Sequence, residues 1–336
     1  MPPTPLTEPG RGRHPFLLRR WGQRALRPLL PVRGLLVRRV VRPLTTDRAA
    51  PLRFAGVLDG HTLNLHGTLP MSFRSAHSAT VVLRRGRVEH CTPVRLRPRP
   101  GGPPAFDAAV LLGAEMDGVP VGHGPWRMAL AVHSRRGVHL LRLLPAEGPA
   151  ADYNGPTGPV NACQRTGRRY RVGSSLLGYA RLVVARPLPR AEVDRVEVRH
   201  HGIAVCFHGV GDTGGAPDEI PAALLVRGEA AIACPAPEFT GQDGVLRFEV
   251  PLGSIRPAGR RTEAWDFYVR WGGESGRPLR LGRRLHDVSD PRGVFAIRPT
   301  VVSDRRGGLV RVHLYYTDRG SLRMACTRLA DDADTA

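Results

Sequence analysis

The sequence contains no lysine, so all 50 of its basic residues are arginines. Together with 39 glycines and 32 prolines, this composition indicates a coding bias toward GC-rich codons. The formal net charge of +21 is therefore only weak support for nucleic-acid binding. No apolar run approaches the roughly 18–20 residues of a membrane-spanning helix. Arginines interrupt the N-terminus where a secretory signal would need a continuous apolar region.

Common enzyme and metal motifs are also missing. The chain has no GxSxG nucleophile elbow, no phosphate-binding P-loop, no HExxH motif, and no GxGxxG between a strand and a helix. Its five cysteines lack CxxC spacing, which argues against a zinc ribbon and a dense disulfide scaffold. Scattered reduced thiols are the favoured interpretation. We predict no cofactor, no metal site and no catalytic residue.

Two segments of nine residues resemble each other: DGHTLNLHG at 59–67 and HGIAVCFHG at 201–209. The same shift of 142 carries VVLRRG onto ALLVRG, and a shift of 139 carries Trp126 onto Trp265. Order and spacing hold over about 130 residues, which indicates a tandem duplication. We place the two copies at residues 52–188 and 194–330.

The repeated histidines, His66 and His208, raise the question of a metal or catalytic site. A metal site would need further ligands, yet no other His, Cys or carboxylate cluster recurs at the same shift. Each histidine faces away from its apolar neighbours and precedes a glycine that ends or bends the strand. Structural copying is therefore favoured. The repeated charge of Arg181 and Arg323 could contact an anionic ligand, but stabilisation of an exposed face is the favoured role.

Alternation of apolar and polar residues predicts strands. WDFYVRW at 265–271 and WRMALAV at 126–132 both place every second residue on a buried face. Similar short runs, separated by Gly, Pro and Asp, predict antiparallel sandwiches. The predicted fold is mostly β, with two tandem immunoglobulin-like antiparallel β-sandwiches. A short basic helical segment at residues 1–50 precedes them and an acidic tail at 331–336 follows.

The N-terminal leader, residues 1–50, holds eleven arginines against only Glu8 and Asp47. On a helix its leucines and tryptophan separate from its arginines, which suits an anionic membrane surface. Packing of the leader on the first sandwich remains an alternative. Nucleic acid is the least favoured partner, because aromatic platforms for bases are scarce there. The residues predicted to contact a membrane or a partner are Leu17, Leu18, Arg19, Arg20, Trp21, Arg24, Leu26 and Arg27.

A family resemblance rests on two segments of the second copy, 262–285 and 298–324. They resemble the β-sandwich accessory regions attached to actinobacterial glycosyltransferases and teichoic-acid-type glycerophosphotransferases. The first copy departs from the pattern, with Arg127 in place of the aspartate. The family's catalytic domain has no counterpart here, so the resemblance implies a setting in cell-envelope polymer synthesis and no catalytic residue. The matching residues are Trp265, Asp266, Tyr268, Arg270, Arg283, Arg284, Leu285, Tyr316, Thr317, Gly320 and Leu322.

Two classes of function follow. The favoured class is a non-catalytic binding or scaffolding protein that acts beside envelope glycopolymer enzymes. It would be cytoplasmic and peripheral at the inner membrane surface, with an anionic membrane surface or a transferase as partner and a glycopolymer as a further ligand. The alternative is a glycosyl or polyol-phosphate transferase-related enzyme, which should gather carboxylates or histidines in one deep pocket.

Overall fold

The computed structural model describes residues 48–145, 155–160, 162–199, 202–215, 219–241, 244–255, 257, 261–303 and 308–329. The eight predicted contact residues of the leader and the tail at 331–336 lie outside this range. The described chain is mostly β, and its α-helix is the single turn α1 (Pro291–Val294). Within it, no helix has the length and apolar character needed to cross a membrane.

The first unit is a nine-stranded sheet. Its strands cross the sheet in the order β3-β4-β5-β2-β1-β7-β6-β9-β8, and β3 also pairs with β6. The ring from β3 to β6 therefore closes into a barrel. In chain order the strands are β1 (Ala49–Val57), β2 (Thr62–Thr68), β3 (Ser78–Arg85), β4 (Val88–Arg99), β5 (Gly102–Leu111), β6 (Gly124–Ser134), β7 (Gly137–Leu144), β8 (Arg169–Ser174) and β9 (Ala180–Ala185).

The second unit is an eleven-stranded sheet. Its order is β14-β15-β11-β10-β17-β16-β20-β19-β18, and β12 pairs with β13 and β16. The strands are β10 (Arg190–Arg199), β11 (Gly202–Val210), β12 (Ala222–Arg227), β13 (Ala230–Ala233), β14 (Glu238–Phe239), β15 (Leu246–Glu249), β16 (Glu263–Arg270), β17 (Leu279–Gly282), β18 (Thr300–Ser303), β19 (Leu309–Tyr316) and β20 (Leu322–Arg328).

Barrel closure in the first unit depends on two strands that pair with both layers. β1 runs parallel to β7 over its first residues and, across a bulge, antiparallel to β2. β4 pairs with β3 through its first half and with β5 through its second half. In the second unit the same stretch is divided into β13 and β14, on either side of Pro235 and Pro237. Proline cannot donate to a ladder, which explains the interruption. In the second unit β10 still links the two layers along one side, through β11 and β17. The first unit has both links and closes into a barrel, so the predicted pair of immunoglobulin-like sandwiches is not confirmed.

Around the two aligned tryptophans, equivalent residues are paired across neighbouring strands in both units. Trp126 lies opposite Leu182, and Trp265 lies opposite Met324. These positions differ by 139 and 142, the shifts found in the sequence. The β3–β4, β3–β6 and β8–β9 ladders correspond to β12–β13, β12–β16 and β19–β20 at the same shifts. These three ladders of one layer therefore keep the same register, whereas the β6–β7 ladder and its counterpart β16–β17 differ by one residue.

The other layer does not keep it. Gly67 of β2 lies opposite Phe106. The shifted partner, Phe248, lies opposite Val205, four residues before Gly209. A Cβ on Gly67 would come within 2.6 Å of the Phe106 ring. This close approach is absent from the second unit, so the two nine-residue segments are both strands but are displaced relative to their neighbours.

Each unit encloses its own apolar core. The predicted alternation on β16 is confirmed, because Trp265, Phe267 and Val269 are buried while the residues between them are partly exposed. In this core the Phe207 ring packs edge-to-face on Phe248, with centroids 5.8 Å apart. A small third cluster at the contact between the units contains Ala162, Val210 and Leu285.

Candidate functional site

The two repeated histidines contact two different aspartates on outward faces. His66 Nδ1 lies 2.5 Å from Asp107 Oδ1, on β5. His208 Nδ1 lies 3.0 Å from both oxygens of Asp194, on β10, and this hydrogen bond raises the pKa of His208. Because the aspartates come from different strands, the histidines are not equivalent. Among the described residues, no group of three His, Cys, Asp or Glu side chains is placed to hold a metal ion.

The cysteines are all free thiols in the structure. Burial raises the pKa of both Cys234 and Cys326 to about 12. A thiol with such a pKa is protonated at neutral pH, and the protonated form is a poor nucleophile. Cys91 is the exposed member of the set. The buried thiols therefore act as small apolar side chains.

A cleft with a volume of about 1110 Å³ opens between the two units. The first unit contributes the end of β1, residues 158–160 and strand β8. The second unit contributes residues 283–291 and the turn between β19 and β20. We call this the arginine cleft. The six arginines that line it are Arg169, Arg171, Arg190, Arg283, Arg284 and Arg319.

Hydrogen bonds join the two sides of the arginine cleft. Ser289 N donates to Pro156 O at 2.9 Å, and Ser289 Oγ donates to Gly155 O at 3.1 Å. Gln164 Nε2 donates to Leu285 O at 3.0 Å. An antiparallel bridge between residues 157 and 288 lies in the same stretch. These bonds hold the segment that carries Arg283 and Arg284 against the first unit.

Arg284 is held in place by a buried carboxylate. Glu192 is 4% exposed and accepts the Arg284 backbone N–H at 2.6 Å. The Arg284 guanidinium donates to Arg280 O at 3.2 Å. Burial lowers the pKa of Arg284, and the charges of Arg190 and Arg280 act in the same direction while Glu192 opposes them. An anion in the cleft would favour the charged guanidinium.

The other arginines of the cleft have little internal compensation. Arg283 lies over the Phe295 ring, 4.1 Å from its centroid. The Nε atom of Arg169 is buried without a hydrogen-bond partner. Among the described residues, one of the six arginines has a carboxylate at ion-pair distance: Arg284 lies 4.0 Å from Glu192. Guanidinium groups left in this state are suited to a negatively charged ligand.

Acid–base groups are poorly represented in the arginine cleft. His286 Nδ1 accepts the Val288 N–H at 3.1 Å, so its proton is on Nε2, which donates to Arg283 O at 3.0 Å. Both ring nitrogens are therefore occupied. The carboxylates in the described lining are Asp287 and Asp318. The arrangement can bind an anion, but it does not present a free histidine beside a carboxylate.

Comparison with known proteins gives little guidance. No family model and no curated protein matches the chain. A crystal structure of S. aureus TarS residues 217–571 is 13% identical, covers 60% of this chain and 54% of that chain, and has a TM-score of 0.31. A crystal structure of S. aureus TarS gives the same identity and TM-score, with 60% of this chain and 35% of that chain covered. Similarity at this level carries no conclusion about function.

Proposed function

We propose that this protein is a non-catalytic binding or scaffolding protein whose arginine cleft holds an anionic, phosphate-containing glycopolymer of the cell envelope. The observation that carries the proposal is the arginine cleft itself, with six arginines and two aspartates in its lining. The planar guanidinium fork matches the geometry of phosphate oxygens. The resemblance of residues 262–285 to accessory regions of envelope glycosyltransferases supplies the setting.

The size of the cleft favours a polymer over a single small anion. Its volume of about 1110 Å³ exceeds that of most pockets for small ligands. The arginines come from β8 on one side and from residues 283–284 and Arg319 on the other. A chain with phosphates at regular intervals could contact both sides at once. Such divided contacts raise the total affinity without requiring a strong contact at any one arginine.

Nucleic acid fits the cleft less well. The aromatic rings in the described lining are those of Tyr170 and His286. Tyr170 is buried, and the His286 ring packs edge-to-face on Phe295 at 5.1 Å. Bases bound by single-strand-binding proteins stack on exposed aromatic rings. This lining offers no such platform.

The proposal extends to the origin of the two units and to the leader. We take the units at 52–188 and 194–330 to derive from one duplicated immunoglobulin-like sandwich, of which the first copy has closed into a barrel, with the matching ladders as support. The leader would hold them at the inner surface of the membrane through the eight residues named above. Removing residues 1–47 should then reduce co-sedimentation with vesicles that contain anionic lipid. Unchanged sedimentation would show that the leader is not the anchor.

Binding of a labelled polymer to the full chain tests the proposal. We expect poly(glycerol phosphate) to bind with an affinity that falls as salt rises, and neutral dextran not to bind. Arg171→Glu and Arg319→Glu should each weaken binding about tenfold or more. The control Arg311→Glu changes an exposed arginine outside the cleft lining and should leave binding nearly unchanged. Equal binding by all variants would contradict the proposal, and turnover of the polymer would favour the transferase alternative.

A further inference from the structure

The outer face of the first unit carries three arginines side by side. Arg84 on β3 lies opposite Arg127 on β6, and Arg127 lies opposite Arg181 on β9. Like charges that face each other across strands destabilise a sheet. Within the described chain, neither Arg127 nor Arg181 has a carboxylate at ion-pair distance, and Arg181 Nε is buried without a hydrogen-bond partner. We call these three residues the arginine row.

In the second unit a carboxylate neutralises the arginines at the corresponding position. Asp266 lies opposite Arg323, as Arg127 lies opposite Arg181, and the numbers differ by 139 and 142. Arg323 Nε donates to Asp266 at 2.6 Å, and Arg280 donates to the same carboxylate at 3.1 Å. The second unit thus has an anion between its arginines. In the described part of the first unit the carboxylate near the row is Glu89, at the end of the row, 3.9 Å from Arg84.

An apolar pocket adjoins the arginine row. The pocket has a volume of about 590 Å³ and includes the row together with Arg142, whose guanidinium lies 4.6 Å from the centre of the Tyr179 ring. Val82 and Ala129, on the same face as the row, supply apolar lining. Its rim also carries exposed aliphatic side chains: Leu140, Leu176 and Leu177 are 60%, 84% and 55% exposed. A cationic row next to exposed leucines suits a ligand that is anionic at one end and apolar at the other.

We propose that this pocket binds the phosphate group of an anionic membrane lipid. The lipid phosphate would take the place that the Asp266 carboxylate occupies in the second unit. The turn that carries Leu176 and Leu177 would then enter the acyl boundary of the bilayer. This site lies on the outer face of the first unit and is separate from the arginine cleft, so it goes beyond the polymer-binding proposal.

Two occupants of this pocket are considered, an anionic membrane and the protein's own leader, and their charges distinguish them. The chain enters the first unit beside this pocket, because Ala49 lies opposite Arg142 in the parallel β1–β7 pair. The leader is therefore the occupant to be weighed against a membrane. Its eleven arginines would, however, repel the arginine row. An anionic lipid surface attracts both, so the row and the leader would face the same membrane.

Co-sedimentation of the full chain with vesicles tests the site. The vesicles contain phosphatidylcholine alone or with phosphatidylglycerol. Arg127→Asp reproduces the second unit's arrangement, so it should preserve or raise thermal stability while lowering partition into anionic vesicles about ten- to thirtyfold. Arg311→Asp makes the same change of charge at an exposed position on β19 of the second unit and should have a much smaller effect. Leu177→Glu should also weaken vesicle binding. Because Leu177 is exposed, the substitution should not disturb folding, so a loss of binding would report on the contact itself.

Three results would overturn the inference. Equal vesicle binding by Arg127→Asp and Arg311→Asp would show that the row makes no special contact. Binding of soluble glycerol phosphate with no loss for Leu177→Glu would identify a site for soluble anions. Vesicle binding lost in Arg171→Glu to the same extent as in Arg127→Asp would indicate general charge attraction. Because Arg127→Asp should leave polymer binding in the cleft unchanged, failure of this site and failure of the proposed function are distinguishable.

Discussion

Replacing Asp266 with asparagine should destabilise the second unit. The carboxylate is 15% exposed and accepts two hydrogen bonds from Arg323, at 2.6 and 3.1 Å, and one from Arg280 at 3.1 Å. Hydrogen bonds to charged groups contribute about 1.5–3 kcal/mol each when well shielded. Here the arginine side chains are 36% and 40% exposed, so solvent screening reduces that contribution. Asparagine also retains one acceptor oxygen. We expect the free energy of unfolding to fall by about 1–3 kcal/mol.

Urea unfolding followed by tryptophan fluorescence measures this loss, since Trp265 and Trp271 lie in the core of the same unit. The matched control is Glu249→Gln, because that side chain is 63% exposed and pairs with Arg247 at 3.0 Å. It should cost at most about 0.5–1 kcal/mol. A double-variant cycle with Arg323→Gln isolates the coupling between the charges. A loss for Asp266→Asn no larger than for the control would refute the argument that arginines on this face need an internal anion.

Two further predictions concern β2 and β11. Gly67→Ala should destabilise the first unit by about 1–3 kcal/mol in urea unfolding, because its Cβ would clash with a core phenylalanine, whereas Gly202→Ala has open space and should be nearly neutral. A loss shared equally by both variants would contradict the close approach. The hydrogen bond that the His208 ring donates to the Asp194 carboxylate raises the pKa of His208 above its ordinary 6.5. Its stabilisation is therefore complete at pH below that ordinary value and is lost as pH rises through the folded pKa. His208→Gln should remove a small part of the stability near pH 5.5 and little near pH 8.5, measured by urea midpoints, and equal losses at both would contradict this.

The mostly β fold and one layer of each unit could be predicted from sequence for a physical reason. Alternation depends only on neighbouring residues, so the seven-residue segment 265–271 is enough to predict the buried face of β16 with Trp265 and Phe267. The shifts of 139 and 142 also align ladders that share register. Barrel closure escaped prediction because it depends on which distant strands β1 and β4 pair with. The placement of His66 and His208 was likewise hidden, since it depends on the register of β2 and β11 against their neighbours, which alternation within one strand does not fix.

The arginine cleft left no local signal in the sequence. Arg169, Arg190 and Arg284 come from separate strands and loops, and only the contact between the units brings them together. In a chain where all fifty basic residues are arginine, no single arginine stands out. The arginine row had a visible clue, because Arg127 replaces the aspartate found at Asp266. Its meaning required the strand pairing that places Arg84 and Arg181 on either side.

The most direct test of the central claim is a crystal structure of the full chain with a short oligomer of poly(glycerol phosphate). The account predicts phosphate groups in the cleft between β8 and residues 283–284, with guanidinium nitrogens about 2.7–2.9 Å from their oxygens. Arg171, Arg284 and Arg319 should be among the contacts. An oligomer bound elsewhere on the surface, with the arginine cleft empty, would contradict it.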